Sequence, residues 1–253
     1  MKRLPIADCP FAIALVLGCT WLIGCDNDVS SAKRSDAVPP RVQVRTGKGV
    51  VRGTVKFDGV PAKMATIANQ PCHAGAPEIE EETVIVGDGG TMMNVLVYVE
   101  GAGAGDGSKR DPAVLDQVHC RYVPHVVGVQ VGQTLNVRSS DDTMHNVHYK
   151  PDRNAPGNLT MSRTGAEKQV TFVAAEFIRV KCDVHPWMTA YVGVFDTPFF
   201  AATGVDGKFE INGLPKGEYT LVAWHELYGR QQQPLTVADE TTPVEASFRY
   251  KAP

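Results

Sequence analysis

Basic residues, long apolar runs and helical periodicity are all scarce in this chain, and each scarcity excludes something. Lys and Arg number 25 against 28 Asp and Glu, for a net charge of −3. Without a basic excess there is nothing to neutralise a phosphate backbone, so nucleic acid is not an expected partner. No long segment repeats its apolar residues with a helical period, so any helices should be short. The one sustained apolar stretch, Phe11 to Ile23, is too short and too closely followed by polar sequence for a stable membrane span. It follows Lys2 and Arg3 and reads as an export signal, which places the protein outside the cytoplasm.

What the chain has instead is a series of short alternating runs rich in Val, Thr, Ile, Phe and Tyr, cut by Gly, Asp and Pro. They fall at Val50 to Phe57, Thr83 to Val86, Val95 to Val99, Val126 to Val131 and Leu135 to Val137. This pattern predicts an all-β protein of sandwich type. Gly101 to Ser108, with four glycines in eight residues, is a loop.

The most informative segment is Lys181, Cys182, Asp183, Val184, His185, Pro186, Trp187, Met188, because it brings a thiol, an imidazole and a thioether together. A His2Cys set with a weak axial Met suits copper: soft sulfur favours Cu(I) and imidazole accepts Cu(II). The second His must come from elsewhere, and His145 and His148 are both near in the upstream segment His145, Asn146, Val147, His148, Tyr149. In an extended strand His145, Val147 and Tyr149 share one face, opposite Asn146 and His148, so one metal takes one of the two histidines. The same alternation puts Ile178, Val180 and Cys182 on one face and Arg179 and Lys181 on the other. His125, His148 and His225 read as structural or surface residues.

Leu135 to Val137, the loop through Ser140, Asp141 and Asp142, and the pair His145-Asn146 resemble the cupredoxin family. The Cys-x-x-His-x-x-Met spacing with Pro after the His is similar to the short ligand loop of amicyanin. The resemblance implies a Greek-key β-sandwich and one type 1 copper held by His145, Cys182, His185 and axial Met188. It implies that Asn146 ties the two ligand segments together and donates a hydrogen bond toward the thiolate. It further implies that His185 is the electron port, with Pro186 and Trp187 around it for transient docking of a redox donor and acceptor. A single Cys in the loop argues against a dinuclear centre. A copper enzyme would need a second copper with its own histidines, and no second set is present, so electron transfer is expected rather than catalysis. Copper storage or delivery, and a non-redox β-sandwich binding module, are the other readings.

Leu22, Ile23, Gly24, Cys25 resembles a bacterial lipobox, which implies that Cys25 carries lipid and anchors the protein to a membrane of the cell envelope, facing the periplasm or the outside. Val16 to Cys19 is a poorer match. Residues 26–48 are polar and read as a tether. With Cys9 and Cys19 lost with the signal, Cys72 and Cys120 are left to pair in an oxidising compartment. Such a bridge adds about 4 kcal/mol in the loop-entropy view.

Asp206, Gly207, Phe209, Ile211, Leu214, Pro215, Gly217, Tyr219 and Leu221 resemble the end of carboxypeptidase-regulatory-like β-sandwich domains, and Gly53, Val55, Gly59 and Pro61 resemble the beginning. One arrangement is a single sandwich of residues 49–117 and 198–253, split by a cupredoxin module at residues 118–197. The other lends residues 83–100 to the copper module.

Overall fold

The computed structural model describes residues 47–67, 79–103 and 110–252. The expected export signal, the tether up to residue 46, Cys25 and Cys72 lie outside these residues. Among the described residues there is no α-helix, and the architecture is all-β.

Four sheets stack face to face. The outermost carries β15 (Lys208–Leu214), β1 (Gly49–Asp58) and β18 (Val244–Lys251), in that order. The next carries β14 (Phe200–Ala202), β4 (Leu96–Glu100), β16 (Gly217–His225) and β17 (Gly229–Val237). Val51, Val55, Val97, Ile211, Leu221 and Phe248 fill the space between these two sheets, and all are buried.

The third sheet is β10 (Gly157–Met161), β9 (His145–Tyr149), β12 (Glu176–Lys181), β13 (Thr189–Phe195) and β7 (Val126–Gln130). The fourth is β11 (Glu167–Thr171), β8 (Thr134–Ser139), β5 (Ala113–Val118) and β6 (Arg121–Val123). Leu115, Val129, Val137, Val147, Ile178 and Val192 form the core between them. The strand Ala113–Val118, which begins before residue 118, pairs in parallel with β8. β2 (Thr66–Ile67) and β3 (Ile79–Glu80) form a separate two-stranded antiparallel sheet. The segment at Thr83 to Val86, expected as a strand, is reduced to an isolated bridge between Val86 and Met92.

The two sandwiches are joined through the second and third sheets, and residue alternation explains how. In β4 and the residue before it, Val95, Val97 and Val99 point into one core, while Leu96 and Tyr98 point the other way into a junction with Val126, Phe195 and Val222. Because both faces of β4 are covered, its sequence is a near-continuous apolar run rather than an alternating one. On the facing sheet Gly193 and Gly128 are register partners. A Cβ on Gly193 would lie 2.8 Å from Leu96 Cδ1, and one on Gly128 would lie 2.5 Å from Phe200 Cδ2. Glycine is needed at both because the neighbouring sheet packs directly on the backbone.

Candidate metal centre

The centre forms where β9 and β12 lie side by side, with Val180 opposite Tyr149 and Lys181 opposite His148. The alternation of β12 buries Ile178 and Val180 and delivers Cys182, at 2% exposure, to the same interior. Cys182 is a free, buried thiol. In β9, His145, Val147 and Tyr149 are buried, while His148 leaves on the other face and meets Asp183 at 2.8 Å. Of the two upstream histidines, the strand therefore sends His145 toward Cys182.

The segment from Cys182 to Met188 is closed by its own backbone. The amide of Cys182 donates to the Met188 carbonyl at 3.1 Å, and the amide of Met188 donates to the His185 carbonyl at 2.9 Å. The result returns His185 over Cys182: Nδ1 of His185 is 3.8 Å from the sulfur and 2.9 Å from Nδ1 of His145. Two imidazole nitrogens and a sulfur thus converge. Imidazole and thiolate donors are the ligand types that suit copper, so the chemistry of this donor set fits a copper ion. Met188, at 1% exposure, is buried in the same core.

The other edge of the His145 ring is fixed by a residue that the sequence reading passed over as part of a loop. Nε2 of His145 is 2.9 Å from Oδ2 of Asp141. The same carboxylate accepts the amides of His119 at 2.6 Å and Cys120 at 2.8 Å. Those two residues have φ of 51° and 52° and form the turn between β5 and β6, a conformation in which Asn and Gly are the usual occupants. Asp141 offsets the cost of that turn and orients the imidazole with Nδ1 toward His185.

Cys120 also approaches His145. Cys120, His145 and His185 present donor atoms within 4.8 Å of one another. The Cys120 sulfur is 3.9 Å from Nε2 of His145, the nitrogen that also faces Asp141. The expected pairing of Cys120 with Cys72 falls partly outside the described residues.

Electrostatics favour the charged donor before any metal is bound. Burial works to raise the Cys182 thiol, but the His145 side chain and the backbone N–H groups of Asn146, His185 and Val184 outweigh it and lower its pKa. Burial likewise opposes charge on His145, yet the hydrogen bond to Asp141 and the nearby Cys182 push it up to about 9. The Asp141 carboxyl, despite burial, is held below its usual range by His145 and by the two turn amides.

Asn146 links the two segments, although by a different route from the expected one. Its side-chain oxygen accepts the amide of Asp183 at 2.7 Å and faces the Cys182 sulfur at 3.3 Å. Its amide nitrogen donates to Asp183 at 2.9 Å and to Asn158 at 2.7 Å. Donation toward a thiolate comes from the Asn146 backbone, not from the carboxamide. Its carbonyl accepts the Tyr122 hydroxyl at 2.5 Å.

His185 is half-buried and Pro186 is exposed. Trp187 is half-buried, donates its indole N–H to the Cys120 carbonyl at 3.0 Å, and has its ring 5.2 Å from that of His185. Val184 and Met144, 44% and 52% exposed, add apolar surface contributed by the same two ligand segments. Of the other described histidines, His125 is buried against Glu226, and His225 is fully buried, accepting the Leu227 amide at 3.2 Å.

No protein-family model and no curated protein matches this chain. Among solved structures it is similar to a purple cupredoxin from Nitrosopumilus maritimus, at 20% identity over 32% of this chain and 98% of that one, with a TM-score of 0.29. A copper-containing nitrite reductase from Thermus scotoductus aligns at 21% identity over 38% of this chain but only 24% of the reductase, with a TM-score of 0.30. An oxidised amicyanin variant aligns at 23% identity over 45% of this chain and 92% of its own, with a TM-score of 0.31. Each of these three is matched over less than half of this chain.

Proposed function

We propose that this protein is an electron carrier in which His145, Cys182, His185 and Met188 would hold one type 1 copper, and that a lipid on Cys25 tethers it to the cell envelope. The observation that carries this reading is the convergence of His145 Nδ1, His185 Nδ1 and Cys182 within 2.9 and 3.8 Å in a buried setting. Copper bound there supplies a one-electron couple.

The chain's own residues do the rest. Asp141 holds the His145 tautomer, and the backbone N–H groups around Cys182 stabilise its negative charge. Asn146 and the Cys182–Met188 backbone bonds keep the donors in place, so a change of oxidation state requires little rearrangement. His185, the more exposed of the two imidazoles, is the port for the electron. Pro186, Trp187, Val184 and Met144 give a small apolar surface suited to brief encounters with a redox donor and acceptor. Full burial of His145 argues against copper delivery, which needs an open and exchangeable site. A bridge between Cys72 and Cys120 belongs to the same reading, as does export to an oxidising compartment.

A potentiometric titration of the copper-loaded protein tests this function. One reversible step with a one-electron slope, and copper retained through repeated cycles, is expected. Release of copper on reduction would reject the carrier role.

A further inference from the structure

At the junction of the two sandwiches a cleft of about 510 Å³ opens between the end of β4, the start of β12 and the end of β13. That volume lies within the range of small-molecule pockets, which concentrate at such junctions. Tyr98, Phe177 and Phe195 form its apolar wall, with ring centroids 4.8 to 5.9 Å apart. Behind them the Trp224 ring stacks on Phe177 at 4.3 Å and 18°, which holds the wall in shape.

The rim has one sign of charge. Among the described residues Glu100, Glu176 and Asp196 line it, and no Lys, Arg or His does. Glu100 is paired with Arg230 at 2.6 Å. The Glu176 carboxylate receives the amides of Asp152 and Arg153 at 2.8 and 2.9 Å and the Asn154 carboxamide at 2.6 Å, which are dipoles rather than a full countercharge. Asp196 is exposed and makes no hydrogen bond or ion pair among the described residues. An aromatic wall attracts cations through its quadrupole, and a carboxylate rim repels anions. A neutral apolar molecule would use the wall and leave the rim unanswered.

We propose that this cleft binds a small organic cation, an ammonium group on an aromatic or compact aliphatic body. The body lies against Tyr98, Phe177 and Phe195, and the charge lies at the rim with Glu176 and Asp196. The site is separate from the metal centre and does not depend on it, so the two readings fail independently.

Benzyltrimethylammonium, benzyl alcohol and benzoate are titrated into the metal-free protein, with binding read from Trp224 emission and checked by calorimetry. The ammonium is expected to bind at least tenfold more tightly than the alcohol, and benzoate more weakly than either. Asp196→Asn, an exposed change that disturbs no packing, is expected to weaken the ammonium about fivefold and leave the alcohol unchanged. Ala175→Phe, which fills the cleft, should abolish binding of all three, with an unchanged thermal midpoint showing that the variant is folded. Equal affinity for ammonium and alcohol, preference for benzoate, or an Asp196→Asn protein that binds the ammonium as before would each overturn the proposal.

Discussion

Replacing Asn146 with Ala removes one side chain that holds two ligand segments together, and the structure sets the size of the effect. Lost are the acceptor for the Asp183 amide at 2.7 Å, the contact with Cys182 at 3.3 Å, and the donations to Asn158 at 2.7 Å and Asp183 at 2.9 Å. A neutral hydrogen bond is worth about 1 kcal/mol net and one to a carboxylate about 1.5–3 kcal/mol. Asp183 is exposed enough for water to replace part of the loss, so the expected destabilisation of the metal-free protein is about 2–3 kcal/mol. Urea unfolding should show it as a lower midpoint with an unchanged slope. The backbone donors to Cys182 stay in place, so the thiol's acidity, followed by thiolate absorbance, should change little. A loss below about 0.5 kcal/mol, the scale of ordinary surface substitutions, would refute the claim that Asn146 is the tie.

Three further outcomes follow from the same structure. His225 is buried and its pKa is pushed down to about 4 by burial, with the nearby charges secondary. Below an unfolded value of about 6.5 the unfolded chain takes up a proton that the folded one refuses, so stability falls by up to about 3 kcal/mol as pH drops from 6.5 toward 4. His225→Asn, which keeps an acceptor for the Leu227 and Tyr228 amides, should flatten that slope in urea midpoints measured from pH 7 to 4.5; an unchanged slope counts against the assignment. His145, raised to about 9, has the opposite sign: its contribution is fully present below about 6.5 and is lost as pH rises through 9. In Asp141→Asn the His145 ring should titrate nearer 6.5 by NMR, and a value still near 9 would show that Asp141 is not the partner that matters. Gly193→Val should cost about 1–3 kcal/mol in thermal or urea unfolding by forcing Leu96 and Phe195 aside, and a neutral result would mean the junction is looser than its contacts indicate.

The parts of the site that follow a simple period were legible in the sequence. Alternation along β12 turned Cys182 inward, and alternation along β9 separated His145 from His148. Asp141 was not legible, because its role depends on a turn at His119 and Cys120 that is distant in sequence and lacks the usual Asn or Gly. The four-layer stack was hidden for a related reason. Val95 to Val99 reads as a strand, but an apolar run does not say which two cores its faces serve. Gly128 and Gly193 look like ordinary strand glycines until the sheet register pairs them beneath Phe200 and Leu96. Strand Ala113–Val118 carries a buried Asp116 and Gln117, which masked its alternation.

The central claim is tested most directly by adding Cu(II) to the protein and recording its visible absorption and electron paramagnetic resonance, beside Cys182→Ser. An intense thiolate-to-copper band with narrow hyperfine splitting, absent from the Cys182→Ser protein, is the predicted result. A colourless protein, or a copper signal that survives loss of Cys182, would contradict the ligand set and with it the electron-transfer function.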